Sequence, residues 1–373
     1  KPDFLIIKDT IQHKDHILYK MCKKIGIKIL MLSQPKIGYK CIISSESNKF
    51  DSTQKLDGIR NNGRTFEEMQ TWLHSFSNLE QNTKLATSFA ASRNKKLDAA
   101  IQFLTSNNSN SKTHYTYYGR SKIRVLGHEI KSSLKKKFRQ QFIDKNLLKE
   151  LKYDEKFVYF PLAVDEERNL LIAAPYYTNL LENIRHIVKS LPIDYKLYVK
   201  ETRSQMTRNW RSISEYKDMM SIPNVRLLHP SVLPSEIYKK TSLVITISGS
   251  SSFEAAFYEK PSILFTEQAY SILPSVHTIK SFDKLPEAIR LSLNTKVNRA
   301  DLDNYIIFLE ENSFAFDQPG LHTKQHDYFF FGGHLVDVYI SDSKMEHFLQ
   351  TNKPEFEKLT NAFQKKLERI IKD

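Results

Sequence analysis

A cluster of small hydroxyl side chains interrupts an apolar segment at residues 243–265, LVITISGSSSFEAAFYEKPSILF. The pattern predicts a strand over 242–248 and a helix over 253–259, with a glycine and serines in the connection. Helix-start N–H groups and serine hydroxyls suit a phosphate, and glycine lets the backbone approach it. Alternatively, Ser252 caps the helix and the other serines are turn residues. The predicted phosphate-binding residues are Ser248, Gly249, Ser250, Ser251 and Ser252.

The charge of the chain limits the class of partner. The 373 residues carry a formal net charge of +14, which favours nucleic acid, an acidic membrane face or a phosphorylated small molecule. A lysine-rich solvated surface is the alternative. Only Cys22 and Cys41 are present, without metal-ligand spacing, so we expect neither a disulfide framework nor zinc. No long apolar run or signal-peptide pattern occurs, so we expect a cytoplasmic protein.

Two regions of alternating strand and helix patterns position these side chains. Near the start, DFLIIKD, HKDHILYKMCKKIG and IKILML predict a strand–helix–strand unit, which favours a parallel sheet. From residue 157, five strands alternate with helices and predict a doubly wound, Rossmann-like sheet. The five strands are FVYFPLAV, KLYVKE, NVRLL, SLVITIS and SILF.

The remaining segments are predicted to be mainly helical. Helical patterns cover 65–79 and 84–104, and a basic amphipathic helix or helix pair covers 131–152. After residue 296 come helical segments, an aromatic turn-rich stretch over 326–339 and a charged helix over 354–372. A chain of 373 residues is too long for one ordinary hydrophobic core, so we expect two domains.

Three stretches together carry a resemblance to a known family. FVYFPLAVDEERNLLIAAPYYTNLLENIRHIVKSLPIDYKLYVKE, WRSISEYKDMMSIPNVRLLHPSV and LVITISGSSSFEAAFYEKPSILF resemble the capsule polysaccharide biosynthesis family. The resemblance covers 157–290 and extends more loosely to about 315. It implies a GT-B-like α/β fold of two Rossmann-like domains with a helical insertion and C-terminal helices. It also implies a glycosyltransferase related to the Kdo transferases, which use a CMP-activated sugar.

The resemblance implies three parts with different roles. Residues 1–156 would form an acceptor-side domain, possibly truncated at its start, with a helical insertion over about 46–156. Residues 157–296 would bind the nucleotide-sugar, and residues 297–373 would brace the two domains. Building a surface polysaccharide or glycolipid is the activity that this organisation implies.

The family pattern also assigns nucleotide-binding positions. The serine loop would bind the phosphate and Glu254 the ribose hydroxyls. After its second strand this domain usually has Lys-Glu-His-Pro, whereas this chain has Lys200, Glu201, Thr202 and Arg203. A guanidinium at that place could bind phosphate in a bidentate fork. A second candidate for the same pocket is the pair His229–Pro230, for which the alternative is a loop histidine before a turn.

Glycosyl transfer further needs a base or an electrostatic stabiliser from the opposite domain. Asp9 after the first strand is the preferred base and His13 the alternative, although both also fit a solvated helix start. In the family architecture, Tyr177, Thr178 and Asn179 would lie at the cleft. Thr178 or Asn179 equally fits a helix N-cap.

The implied reaction uses no cofactor and no metal, with the nucleotide-sugar as substrate. The DLD at 301–303 fits a solvated helix face, and His322, His326 and His334 are spaced too loosely for zinc. The implied partners are a nucleotide-sugar and an oligosaccharide or lipid-linked acceptor. A membrane-associated scaffold and a sugar-nucleotide epimerase remain alternatives.

The basic 131–152 segment suggests an anionic membrane surface and a peripheral location at its inner face. Basic residues are spread along the chain without interleaved aromatic residues on one evident face, so nucleic acid is not an expected partner.

Overall fold

The structure is a computed structural model, and the part of the chain that it describes has gaps. The described residues are 2–35, 37, 39–47, 49–52, 56–59, 62–76, 93–106, 120–152, 155–164, 168–206 and 210–372.

The chain forms two compact units, each built from three segments. The first unit comprises Lys1–Ser77, Ile143–Gln205 and Arg211–Ala315, and the second comprises Asn78–Phe142, Met206–Trp210 and Phe316–Asp373. The predicted regions 1–156, 157–296 and 297–373 are defined by what each would bind, which the two compact units do not test. Their boundaries therefore stay predictions.

The strands all lie in the first unit. In chain order they are β1 (Phe4–Lys8), β2 (Lys28–Ser33), β3 (Lys40–Ser44), β4 (Phe157–Pro161), β5 (Lys196–Lys200), β6 (Val225–Leu228), β7 (Leu243–Thr246), β8 (Ser262–Leu264), β9 (Val276–Thr278) and β10 (Phe314–Ala315).

The α-helices are distributed over both units. In chain order they are α1 (His13–Lys24), α2 (Phe66–Phe76), α3 (Arg93–Thr105), α4 (Lys122–Asn146), α5 (Arg168–Leu171), α6 (Leu180–Ser190), α7 (Ile213–Met220), α8 (Pro234–Lys240), α9 (Ser251–Ala256), α10 (Leu285–Asn294), α11 (Arg299–Glu311), α12 (Gln318–Phe329), α13 (Asp342–Thr351) and α14 (Lys353–Lys372).

The larger sheet is parallel and doubly wound. Its strand order is β6-β5-β4-β7-β8-β9, with every neighbouring pair parallel. The chain starts in the middle at β4, builds outward, and returns to build the other half from β7, which is the Rossmann order. All five predicted strands are confirmed. The sixth, β9, is missing from the sequence prediction because it has only three residues, too few for a periodic pattern.

Burial on both faces explains why this sheet is recognisable in the sequence. Its central strands are apolar runs whose side chains are fully buried, for example Val158, Leu197, Val244 and Ile263. Helices cover both faces of a parallel sheet, so continuous apolar runs replace the alternating pattern.

The smaller sheet has the order β1-β2-β3-β10. The parallel pairing of β1 with β2 through α1 confirms the predicted strand–helix–strand unit, and Gly26 closes that helix with φ of 73°. The described β3 runs antiparallel to both neighbours. The predicted α/β class with two sheets, as a GT-B-like fold requires, is therefore confirmed. The described part of this second sheet is small and mixed.

The beginning of the predicted insertion packs on α11. The carboxylate of Asp303, 1% exposed, accepts hydrogen bonds from the backbone N–H of Asn62 at 2.7 Å and of Arg64 at 3.3 Å. The Arg64 guanidinium lies 3.5 Å from the same carboxylate. The interpretation of Asp303 as part of a solvated face is therefore wrong. Its charge is buried because it satisfies donors of a chain segment about 240 residues away.

The described part of the second unit is helical. The Lys95 ammonium of α3 lies 2.6 Å from the Asp327 carboxylate of α12, and the rings of His322 and His326 lie 4.1 Å apart. None of the helices in the described ranges has the length and apolar character that crossing a membrane requires.

Candidate functional site

The serine loop joins β7 to α9, as predicted, and its backbone is held by hydrogen bonds. The N–H of Gly249 donates to Thr246 Oγ1 at 3.1 Å, and the Tyr270 hydroxyl donates to the carbonyl of Gly249 at 2.7 Å. A Cβ atom at position 249 would lie 2.8 Å from Thr246 Oγ1. Glycine is required there because any side chain would displace the hydroxyl that fixes the turn.

The serines of this loop differ in what their hydroxyls contact. Ser252 is fully buried and is hydrogen-bonded to the Ser262 hydroxyl of β8. Ser248 is buried too, and it donates to the carbonyl of Asn169 at 3.3 Å. Ser250 is half-buried, and its hydroxyl has no hydrogen-bond partner among the described residues. Ser250, rather than Ser252, therefore has the hydroxyl that is free to meet a ligand.

The helix that follows is shorter than the sequence pattern suggests. Its regular part is Ser251–Ala256, six residues. A helix of that length has a small dipole, since the dipole sums over aligned peptide units. The case for phosphate binding therefore rests on the loop and its hydroxyls.

Glu254 points into a group of buried tyrosines. It accepts a hydrogen bond from the Tyr238 hydroxyl at 2.9 Å. Burial, and then the charge of Glu254, raise the pKa of Tyr238 well above its ordinary value, so this hydroxyl stays protonated and donates. One carboxylate oxygen of Glu254 is thus oriented by the protein. The other oxygen can accept from a ligand.

The residues after β5 form a buried ion pair. Glu201, 1% exposed, accepts from Arg211 Nε at 2.8 Å and from the Tyr216 hydroxyl at 2.8 Å. Lys200 is also buried. The side chain of Arg203, predicted as a phosphate partner, lies outside the described residues. Glu201 therefore fixes the end of β5, and the role of Arg203 stays a prediction.

The predicted pair His229–Pro230 lies after β6. His229 Nδ1 accepts from the N–H of Ser231 at 3.1 Å, and Nε2 lies 2.9 Å from a carboxylate oxygen of Asp144. Pro230 is buried. Both ring nitrogens of His229 are therefore used within the fold, which favours the alternative of a loop-fixing histidine.

The predicted cleft residues take different roles. Asn179 accepts from the N–H of Glu182 at 3.2 Å, so it is the N-cap of α6, as the alternative interpretation proposed. The Thr178 hydroxyl donates to the carbonyl of Pro175 at 3.3 Å. Tyr177 is buried against the rings of Phe265 and Phe282.

At the carboxyl end of β1, the structure brings the predicted base Asp9 together with residues that the sequence did not single out. Asp9 accepts from the Ser47 hydroxyl at 2.6 Å. The next residue, Thr10, is buried, and its hydroxyl lies 3.3 Å from His16 Nδ1 and 3.5 Å from Arg168 Nε. His13, the predicted alternative base, is exposed at the start of α1.

The electrostatics of this cluster affect His16. Burial, followed by the positive charges of Lys20 and Arg168, lowers the pKa of His16 from 6.5. The imidazole is therefore uncharged at neutral pH and can accept a proton. Burial also lowers the pKa of Arg168, while the charge of Asp9 opposes that effect.

Arg168 and Asn169 connect the two sheets of the first unit. Arg168 contacts Thr10 after β1, and the neighbouring Asn169 contacts Ser248 after β7. The end of β1 and the serine loop therefore both contact α5, through the Arg168 guanidinium and the Asn169 carbonyl respectively. Sequence reasoning missed Arg168, although its place shortly after the β4 strand pattern is a signal, since ligands of such sheets bind beyond the strand ends.

Side chains that could ligate a metal ion do not cluster among the described residues. Within the described ranges, no three His, Cys, Asp or Glu side chains are arranged to hold a metal ion. The absence of a metal or cofactor from the reaction stays a prediction.

Comparison with known proteins gives distant likenesses to solved structures. No protein-family model matches the chain. No curated protein matches it either. Thermosulfurimonas dismutans KpsC, a beta Kdo 2,7 transferase, is 12% identical with a TM-score of 0.34, over 81% of this chain and 89% of that chain.

Two further solved structures give similar values. UDP-GlcNAc 2-epimerase of Methanocaldococcus jannaschii, in complex with UDP-GlcNAc and UDP, is 12% identical with a TM-score of 0.32, over 83% of this chain and 76% of that chain. Spinosyn rhamnosyltransferase SpnG with thymidine diphosphate is 13% identical with a TM-score of 0.28, over 43% and 42%. At these identities and TM-scores, the likenesses assign neither a family nor a function to this chain.

Proposed function

We propose that this protein is a glycosyltransferase that moves a sugar from a nucleotide donor to a saccharide or glycolipid acceptor. The observation that carries the proposal is that α5 contacts both strand ends: its Arg168 guanidinium contacts Thr10 after β1, and the carbonyl of the next residue, Asn169, accepts from Ser248 in the serine loop. A guanidinium can bind the phosphate of an activated sugar in a bidentate fork. The acidic Asp9 and the neutral His16 near Thr10 suit activation of an acceptor.

In the proposed reaction, a base removes the proton from the acceptor hydroxyl. The acceptor oxygen bonds to the anomeric carbon, and the bond from that carbon to the phosphate oxygen breaks. The phosphate leaves with the electron pair, so positive charge near it lowers the barrier. We assign that charge to Arg168 and the role of base to Asp9. The neutral imidazole of His16 replaces His13 as the alternative base, because it lies in the cluster.

The finer features of the proposal come from the sequence resemblance. We propose a CMP-sugar such as CMP-Kdo as the favoured donor, and a growing capsular polysaccharide or lipid-linked saccharide as the acceptor. The nucleotide would contact the serine loop, Glu254 and the segment after β5. The departure from Lys-Glu-His-Pro at Thr202 and Arg203 makes the base of the nucleotide the feature most in need of a test.

The test is titration calorimetry with CMP-, UDP- and GDP-sugars and with CMP, UDP and GDP. We expect one nucleotide series to bind, and Arg168→Met to weaken it about tenfold or more, since a charge-assisted hydrogen bond contributes about 1.5–3 kcal/mol. Arg185→Met, which removes an exposed arginine of α6, is the matched control and should bind as the wild type does.

No binding by any series, with the fold intact, would refute the proposal. Formation of an epimerised nucleotide-sugar without an acceptor-linked product would support the epimerase alternative instead.

A second candidate function is docking to an anionic membrane as part of a polysaccharide assembly complex. Four large apolar side chains on α4 are exposed on one face: Ile123, Ile130, Leu134 and Phe138. Basic side chains outnumber acidic ones on the same helix, and Lys131 and Lys135 with Arg139 line a groove of about 200 Å³. An apolar face bordered by lysines is typical of helices that lie in the membrane interface.

Vesicle co-sedimentation tests this second function. We expect the protein to pellet with vesicles containing phosphatidylserine and not with neutral ones, and Leu134→Ser with Phe138→Ser to reduce pelleting. Equal pelleting with neutral vesicles would exclude the electrostatic contribution. Glycosyl transfer and membrane docking are compatible, since a lipid-linked acceptor would bring the enzyme to the membrane.

A further inference from the structure

A cavity of about 460 Å³ lies beyond the ends of β8 and β9, and its lining includes none of the predicted nucleotide-binding residues. Its walls come from the segment after β8, from β9, from α11 and from residues 49–52. The size is within the usual range for small-molecule sites, about 300–1,000 Å³. All of these elements belong to the first compact unit.

The cavity contains a buried polar group without a partner. Gln268 is 5% exposed, and its side-chain Oε1 has no hydrogen-bond partner among the described residues. Its backbone is fixed, because its N–H donates to Ser271 Oγ at 2.8 Å and its carbonyl accepts from Ser271 N–H at 2.9 Å. Burying a carbonyl oxygen without a hydrogen-bond donor costs free energy. A ligand that donates an O–H or N–H group to this atom would remove that cost.

The other lining groups add both charge and apolar surface. At the rim, Lys49 Nζ lies 3.1 Å from a carboxylate oxygen of Glu267. The rings of Phe50 and Phe308 form an edge-to-face pair with centroids 4.8 Å apart. Amide and carboxylate acceptors beside aromatic rings suit a hydroxylated ring, which has apolar C–H faces and donating hydroxyls.

The segment that lines the cavity also holds the serine loop. Tyr270 donates to the carbonyl of Gly249, and the Thr266 hydroxyl donates to the carbonyl of Ile247 at 2.9 Å. The cavity is therefore next to the proposed phosphate site. In the sheet order, β8 and β9 lie on one side of β7, and β4, β5 and β6 lie on the other. Consider a nucleotide-sugar whose phosphate lies at the end of β7 and whose nucleoside extends toward β4–β6. Its sugar is then directed toward this cavity.

We infer that this cavity binds a saccharide ring, with Gln268 Oε1 accepting a hydrogen bond from a sugar hydroxyl. This inference rests on the proposed glycosyltransferase function. The ring is either the sugar of the nucleotide donor or the terminal sugar of the acceptor, which share the same chemistry.

The experiment compares nucleotide, nucleotide-sugar and free sugar on the wild type and three variants. Gln268→Met removes the amide at similar length, and Ile272→Trp narrows the cavity from a position that is 47% exposed. Gln350→Met replaces an exposed glutamine of α13 and is the matched control. Calorimetry gives the affinity for the nucleotide and its sugar conjugate, and saturation-transfer NMR detects binding of free Kdo, galactose and N-acetylglucosamine.

If the donor sugar occupies the cavity, the nucleotide-sugar binds the wild type tighter than the nucleotide does. Both cavity variants then weaken the nucleotide-sugar about tenfold, a change of about 1.4 kcal/mol, and leave the nucleotide unchanged. If the acceptor sugar occupies it, the NMR signal of a free sugar decreases in both variants while donor affinity stays constant. Each result supports the inference.

Other results overturn it. Equal weakening of nucleotide and nucleotide-sugar would assign the cavity to the nucleoside. Unchanged binding of every ligand in both variants would show that no saccharide lies there, although the proposed function would stand. Failure of all nucleotides to bind would refute the proposed function, and the NMR signals of free sugars would still decide whether the cavity binds a saccharide.

Discussion

At the scale of single residues, the serines of the loop between β7 and α9 have different environments. Serines that are adjacent in sequence have opposite environments, since Ser252 is buried against Ser262 while the Ser250 hydroxyl is half-exposed without a partner among the described residues. A run of identical residues therefore has two environments, one in which the hydroxyl is used within the fold and one in which it is available to a ligand. Only the side-chain directions distinguish them.

These two serines give a prediction that separates stability from binding. Ser252→Ala should lower the free energy of unfolding by about 1–2 kcal/mol, because it removes one partner of a buried hydrogen bond. Ser250→Ala should leave stability within about 0.5 kcal/mol and weaken nucleotide binding. Urea denaturation and calorimetry measure the two effects. The reverse assignment of effects would show that Ser252 contacts the ligand.

At the scale of elements, α11 is a helix that organises another part of the chain. Its Asp303 satisfies backbone donors of residues 62–64, and its Glu310 accepts from Trp72 Nε1 at 2.7 Å. The beginning of the predicted insertion is therefore tied to the helix that follows the doubly wound sheet. These hydrogen bonds attach residues 62–72 to α11.

The buried carboxylate of Asp303 is therefore expected to stabilise the fold. Asp303→Ala should lower the free energy of unfolding by about 3 kcal/mol, since it leaves two N–H groups without their acceptor and removes one of the two carboxylates that pair with Arg64. Glu311→Ala, at the exposed end of the same helix, is the control and should change stability by less than about 0.5 kcal/mol. Thermal and urea unfolding provide the comparison. Equal stability of both variants would contradict the assigned role.

At the scale of the first compact unit, surface charges link the two sheets. Lys49, which follows β3, bridges Glu267 after β8 at 3.1 Å and Glu46 at 3.5 Å. The hydrogen bond and charge of Lys49 lower the pKa of Glu267 below its ordinary 4.5. The ionised carboxylate is therefore favoured in the folded protein relative to the unfolded chain.

This link predicts a pH dependence whose sign follows from the lowered pKa. The contribution of Glu267 is present above its unfolded pKa and is lost as pH falls through the lower folded pKa. Lys49→Met should lower stability by about 0.2–1 kcal/mol at pH 7, because both groups are near half-exposed, and the difference should decrease as the pH falls below 4.5. Urea unfolding at pH 7 and at a series of lower pH values measures it. Lys284→Met, which removes an exposed lysine of the Lys284–Glu287 pair, is the control.

Much of the larger sheet could be predicted from the sequence, because its strands are buried on both faces and read as apolar runs. FVYFP, KLYVK, VRLL, LVIT and SIL all appear as strands, and the glycine and serines between β7 and α9 lie at the strand end as predicted. The first strand–helix–strand unit was predictable for the same reason, together with Gly26 at the helix end.

Only the tertiary structure decided which partners the polar side chains have. The sequence cannot show that His229 contacts Asp144, that Asp303 is buried, or that Arg168 contacts Thr10, because these contacts join residues far apart in the chain. Local periodicity determines which backbone groups pair within an element. Long-range packing decides which charged and hydroxyl groups remain available to a ligand.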